Sequence, residues 1–309
     1  VSEASVDVMV DSITKSTLKQ YECNLRSWWY YVHTNGFDIF HPKTSDIIDF
    51  LNHRFQEGAK YSTLNTARAS ISSIASSDIN ADGLISRFLR GVFKQRSTKP
   101  KYSTTWNVIP VLHYIERLHP LKQLKFKNAA EKVTTLLALT TAQRLQTLAL
   151  IRLENISVSN FGLSKTITDQ IKTSKPGSFQ PELILPFYKE KPGLCVASAV
   201  LDYIELTKDL RHQRTRNLFI ATTKPFDAVT AQTIGHWVKA LLGKAGIDTN
   251  QFTAYSTRHA AVSAAHSRGV DIATIRRCAG WASGSQTFFK FYNRPIQAPN
   301  DQFARSILQ

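Results

Sequence analysis

The chain has little of what several protein classes require. Its 309 residues include only three cysteines, Cys23, Cys195 and Cys278, odd in number and far apart. That argues against a disulfide framework and fits a reducing compartment. The cysteines give no zinc-ligand spacing, and His212, His236, His259 and His266 do not complete one. No apolar run approaches the roughly 18 residues of a membrane span. Val1-Ser2-Glu3-Ala4 lacks the charged-then-apolar order of a secretory signal. No Gly-x4-Gly-Lys-Ser/Thr loop is present, which speaks against a nucleotide phosphotransferase. Acidic residues are scarce as well: 23 stand against 39 lysines and arginines, a formal net charge of +16.

That imbalance is uneven. Through Pro100 there are 12 basic and 10 acidic residues, which leaves 27 and 13 for the rest. Such a surplus suits a surface that tracks phosphates, although charge alone does not separate DNA from RNA.

The length allows a sizeable core in two domains. Helical spacing recurs four times in the first: Leu18 to Trp29, Ile47 to Phe55, Leu64 to Ile74, and Ile85 to Val92. These predict a small helical domain over residues 1–95. Lys94-Gln95-Arg96-Ser97-Thr98-Lys99-Pro100-Lys101 is basic and poor in apolar residues, so 96–105 reads as a linker. The second domain, 106–309, opens on an apolar helical stretch, Val133–Leu150, interrupted at Thr140-Thr141-Ala142-Gln143 just before Arg144. Alternation at Ile156–Val158, Ser164–Ile167 and Leu183–Leu185 predicts a small antiparallel sheet. Helices are expected again near 196–207, 231–242, 256–267 and 272–278, and Leu218-Phe219-Ile220 as a buried extended piece. The expected fold class is mainly α with a small antiparallel β-sheet.

Transfer of a phosphodiester to a protein hydroxyl passes through a phosphorane with extra charge on its equatorial oxygens. Without a metal, guanidinium groups are the best stabilisers, because the planar fork donates two hydrogen bonds to one phosphate. Arg144 and Arg258 are the candidates. Tyr255, three residues before Arg258 on a predicted helix, shares its face. Trp281, after Ala279-Gly280, offers one N–H donor. Tyr292, in Phe291-Tyr292-Asn293-Arg294, supplies a hydroxyl. Each residue alone has a plainer reading as a surface cation or core aromatic; their order together is specific.

This series, with Lys172 in Ile171-Lys172-Thr173-Ser174-Lys175-Pro176-Gly177, resembles the tyrosine recombinases. Lys191-Pro192-Gly193-Leu194-Cys195 and Tyr292-Asn293-Arg294 make it most similar to the enzymes of DIRS-type retrotransposons and Crypton elements. The resemblance runs from about Ser16 to the end and is strongest from Ile171 to Arg294. It implies a helical core-binding domain and an α+β catalytic domain closing on duplex DNA. Arg144 and Arg258 would hold the phosphate and Trp281 would bond one of its oxygens. Lys172 would protonate the departing 5′ oxygen, with Lys175 in the same loop as the alternative. Attack by Tyr292 would give a 3′-phosphotyrosine and a free 5′ hydroxyl, with no ATP, metal or other cofactor. Lys94, Arg96, Lys99, Lys101 and Lys175 would lie against the DNA backbone. The implied assembly is a dimer per site and a tetramer on synapsed DNA, with the segment after Ile296 docking on a neighbouring subunit. The implied task is integration of a circular mobile-element DNA in the nucleus, with no membrane involved.

One departure stands out. The family's His-Ser-Thr-Arg-His string is here Tyr255-Ser256-Thr257-Arg258-His259. A phenol with a pKa of about 10 donates a hydrogen bond but is a poor base at neutral pH, unlike imidazole at about 6.5. Two alternatives therefore stand beside the recombinase: a DNA-binding relative that has lost chemistry, and a type IB topoisomerase, which shares the Arg-Lys-Arg-Tyr set but acts as a monomer.

Overall fold

The computed structural model describes residues 2–76, 78–97, 103–174, 176–177, 180–212, 215–281, 292, 294–296 and 307–308. The chain divides into two compact units, Val1–Lys101 and Tyr102–Gln309.

The first unit is helical: α1 (Glu3–Asp11), α2 (Lys15–Asn35), α3 (Thr44–Gln56), α4 (Tyr61–Ser72) and α5 (Gly83–Gln95). The last four follow the apolar spacing read in the sequence. Their starts and stops have local causes. Thr14 caps α2 through its hydroxyl, Gly36 ends α2 in the left-handed region, and the Asp82 carboxylate accepts from Leu84 and Ile85 at the start of α5. Trp28, Phe50, Leu51, Leu64, Ile71 and Ile85 form the centre of the core. Helix α1 was not expected, because it buries none of its residues and so leaves no periodic core face to read.

The second unit contains α6 (Val108–Arg117), α7 (Phe126–Thr141), α8 (Leu145–Ala149), β1 (Ile156–Ser159), β2 (Gly162–Thr166), β3 (Glu182–Pro186), α9 (Val196–Thr207), α10 (Ala231–Lys244), α11 (Ser256–Ser267) and α12 (Ile272–Cys278). The strands form one antiparallel sheet in the order β1-β2-β3, with Leu163 opposite Leu185 and Lys165 opposite Leu183. Glycine is required at the β1–β2 turn: Gly162 has φ +153°, and a Cβ there would meet Leu185 O at 2.2 Å. Helix α7 is the central element; it packs on α9, α10 and α11, and eleven of its residues are buried. Leu218, Phe219 and Ile220 are buried as expected, with isolated bridges at Asn217 and Ile220 rather than a fourth strand.

The interruption read at Thr140–Gln143 separates two helices. Helix α7 ends at Ala142, whose φ of 48° is left-handed, and Arg144 is the extended residue that starts α8. Arg144 therefore sits in the break between the two helices, half-buried. Helix α6 was also missed; Pro110 in its first turn is compatible with a helix start but interrupts the apolar pattern. No helix among the described residues is long and apolar enough to cross a membrane.

Candidate active site

The site is built on the first turn of α11. Ser256 and Thr257 turn their hydroxyls back to Thr253 O and Ala254 O at 2.6 and 2.7 Å. Trp106 donates its indole N–H to Ser256 Oγ at 2.8 Å, tying the start of the second unit to this turn. Tyr255, at the helix start, is left 44% exposed, whereas Arg258, one turn on, is 1% exposed. The two residues share a helix face but not an environment.

Trp281 arrives by a different route. Helix α12 ends in a Schellman turn: Trp281 N donates to Arg276 O at 2.9 Å and Gly280 N to Arg277 O at 3.2 Å. The turn needs Gly280 in the left-handed region, at φ +70°. It delivers the Trp281 indole under the Arg258 guanidinium, with Cζ 3.7 Å from the ring centroid. Arg258 also donates to Ala279 O at 2.8 Å. The Gln143 amide bonds Cys278 O at 2.7 Å, so the break that presents Arg144 is fastened to the end of α12.

Tyr292 lies in the middle of this arrangement, 7% exposed. Its ring stacks on His259, with centroids 4.8 Å apart and planes 12° apart. It meets Trp281 edge-on at 4.6 Å and Tyr255 edge-on at 6.1 Å. The Tyr292 and Tyr255 hydroxyls are hydrogen-bonded to each other. The residues that follow Tyr292 are anchored to the rest of the second unit. Ser263 Oγ accepts from Arg294 N at 3.1 Å, and Thr105 N donates to Pro295 O at 2.9 Å.

The electrostatics are dominated by two neighbouring guanidiniums. Burial, and then the charge of Arg144, push the Arg258 guanidinium down to about 10, with Tyr292 and Tyr255 acting the other way. Neither arginine has a carboxylate partner among the described residues. Arg258 Nε and Nη1 are buried and bond nothing in the described protein. Burial first, and then the Tyr292 hydroxyl, push Tyr255 up to about 12, against the pull of Arg258 and Arg144. An oxyanion between the two guanidiniums would relieve both their repulsion and the unpaired N–H groups.

Five predicted catalytic residues, Arg144, Tyr255, Arg258, Trp281 and Tyr292, are thus brought into mutual influence. Lys172 is not. It is exposed in the β2–β3 loop, in a turn closed by Ser174 N on Ile171 O at 2.9 Å, and no described hydrogen bond or ion pair joins it to the others. Lys175, Lys99 and Lys101 lie outside the described residues. Lys94 is exposed near the end of α5. Arg96 is turned inward instead: it bonds Phe55 O at 2.5 Å and lies 3.9 Å from the Phe55 ring centroid, closing the first unit's own helices. Its hydrogen bonds go to Phe55 O, in the last turn of α3, and to Ala59 O just beyond that helix, so this guanidinium is committed within the domain.

Sequence reasoning passed over His259, Gln143, Ser263 and Trp106 as parts of the site. Only His259 carried a signal, its place beside Arg258; the rest act through long-range contacts. Among the described residues no three His, Cys, Asp or Glu side chains gather in one place.

Solved structures share this fold. The Tn1549 transposon integrase, in complex with circular intermediate DNA, matches at 15% identity over 88% of this chain and 86% of its own, with a TM-score of 0.54. A lambda integrase dimer bound to a core site matches at 13% identity over 94% and 92%, TM-score 0.56. A lambda integrase tetramer bound to a Holliday junction matches at 12% over 94% and 76%, TM-score 0.54. No curated protein sequence matches the chain. The model of the phage integrase family matches residues 113–297, more than half of the chain and all five clustered residues. The chain belongs to the phage integrase family, the tyrosine recombinases.

Proposed function

We propose that this protein is a site-specific recombinase that cuts and rejoins duplex DNA through a 3′-phosphotyrosine at Tyr292. The observation that carries this reading is the pair of carboxylate-free guanidiniums, Arg144 and Arg258, set against the Tyr292 phenol. Arg258 offers its unpaired Nε and Nη1 to the scissile phosphate, and Arg144 neutralises a second oxygen. Trp281 holds the Arg258 fork in place from below. As Tyr292 Oη bonds to phosphorus, the bond to the 5′ oxygen breaks and that oxygen takes a proton from Lys172. The flexible reach of a lysine on the β2–β3 loop suits an acid that comes to the site only with DNA. Reversal by the free 5′ hydroxyl rejoins the strand, so no ATP is consumed.

The helical domain 1–95 acts as the second arm of a clamp on duplex DNA, with the basic linker 96–105 between the arms. Lys94, Lys99, Lys101 and Lys175 contact the phosphate backbone. Protomers work as a dimer per site and a tetramer on synapsed DNA. The task is insertion of a circular mobile-element DNA in the nucleus, as in the DIRS and Crypton enzymes that the sequence resembles. The Tn1549 complex with a circular intermediate and the lambda dimer and tetramer are the neighbours in fold that support this assignment.

The test is a suicide duplex nicked near the candidate cleavage site, with products resolved on a denaturing gel. A protein–DNA adduct that disappears in Tyr292→Phe is the expected result. Relaxation of supercoiled DNA by a monomer, with no recombinant product, would favour the topoisomerase.

A further inference from the structure

The position that is histidine in similar recombinases is Tyr255, which leaves unexplained how Tyr292 loses its proton. A phenol held near 12 is not a base at neutral pH: it keeps its own proton. Three observations point to another role. The Tyr255 hydroxyl is hydrogen-bonded to the Tyr292 hydroxyl. Tyr292 is 7% exposed and has little direct access to water, whereas Tyr255 is 44% exposed. The ring orientations also differ, since Tyr292 is clasped face-on by His259 while Tyr255 stands edge-on to both.

We infer that Tyr255 is a proton relay between the buried nucleophile and solvent. The inference rests on the proposed cleavage by Tyr292. As Tyr292 Oη forms its bond to phosphorus, its proton moves to Tyr255 Oη, and the Tyr255 proton moves to a water molecule at the exposed edge of the ring. Tyr255 is neutral before and after, so no phenolate forms on it and its high pKa is no obstacle. The phosphorus–O5′ bond breaks in the same step, and the leaving oxygen takes its proton from the general acid. In the rejoining step the protons run the other way. A hydroxyl has both a donor and an acceptor site, which is what a relay requires and what indole or guanidinium lacks.

The experiment is single-turnover adduct formation on the suicide duplex by the unaltered chain, Tyr255→Phe, Tyr255→His and Tyr292→Phe, with DNA affinity measured for each. Tyr255→Phe keeps the ring and removes the relay; adduct formation should fall about 100-fold or more with DNA affinity unchanged. Tyr255→His should form adduct faster than Tyr255→Phe, with its pH–rate rise moved toward the imidazole range near 6.5. A side chain that only packs would produce neither effect. In mixtures of light and heavy water the unaltered chain's rate should fall along the bowed curve of three protons in flight, two along the relay and one from the general acid, against two for Tyr255→His. Adduct formation by Tyr255→Phe within about 3-fold of the unaltered chain would overturn the relay while leaving cleavage by Tyr292 standing. Absence of a Tyr292-dependent adduct from both the unaltered chain and Tyr255→His would overturn the proposed function, and the relay with it.

Discussion

Replacing Arg258 with methionine separates the cost of the site from its use. The guanidinium is 1% exposed, and its fall to about 10 from the ordinary arginine value corresponds to about 3 kcal/mol against holding the charge in the fold. Removing it also removes a charged hydrogen bond to Ala279 O, worth about 1.5–3 kcal/mol, and stacking on Trp281, worth about 1 kcal/mol. Those terms nearly cancel, and the unbranched methionine keeps the stem packed. The expected change in urea-unfolding free energy is therefore within about 1 kcal/mol of zero. Breaking a paired buried charge ordinarily costs about 3–5 kcal/mol. Inorganic phosphate at matched ionic strength should raise the Tm of the unaltered chain and not that of Arg258→Met, and adduct formation should be lost. A stability loss above about 3 kcal/mol would refute the reasoning, because it would mean that the fold itself needs this charge. So would an unchanged response to phosphate.

Three further outcomes follow from other parts of the structure. Lys132 and Lys165 are buried, bond Leu118 O and Arg152 O, and are pushed down to about 8 chiefly by desolvation. Their folded values lie below their unfolded ones, so the penalty is complete below pH 8 and is released as pH rises beyond it. Unfolding free energy should climb from pH 8 toward 10, and Lys132→Met with Lys165→Met should flatten that climb in denaturant titrations. Ser256→Ala leaves the buried Trp106 N–H without its acceptor and should cost about 1–3 kcal/mol, read as a lower urea midpoint with unchanged slope. His259→Phe keeps a flat ring on Tyr292, whereas His259→Leu does not; adduct formation should survive the first and drop at least about 10-fold in the second. Equal losses in both would show that the imidazole itself is needed.

The residues proposed to do chemistry could be named from the sequence because their type is dictated by the proposed reaction. Few side chains bind a phosphodiester without a metal, and their order along the chain carries the family pattern. The four apolar repeats of the first unit and the three short strands were legible for a related reason, since burial on one face leaves its period in the sequence. Other features left no such trace. The interruption before Arg144 was readable, but not its cause, a single left-handed residue, Ala142, that is not glycine. The role of Gln143 depends on a carbonyl 135 residues away, and that of Ser263 on a backbone 31 residues away. The inward turn of Arg96 was invisible because a basic residue in a basic stretch reads the same whether it meets DNA or caps a neighbouring helix.

The sequence by itself thus determined the family, the helical and sheet content, and the identity of the groups proposed to meet a phosphate. Only the tertiary structure decided their environment. It buried Arg258 on Trp281 with two N–H groups unpaired, sheltered Tyr292 against His259, and hydrogen-bonded the exposed Tyr255 to the buried Tyr292. Spacing along a helix places two residues on one face. Which of them is dry, which is wet and which is left wanting a partner depends on chain segments that meet only when the domain closes.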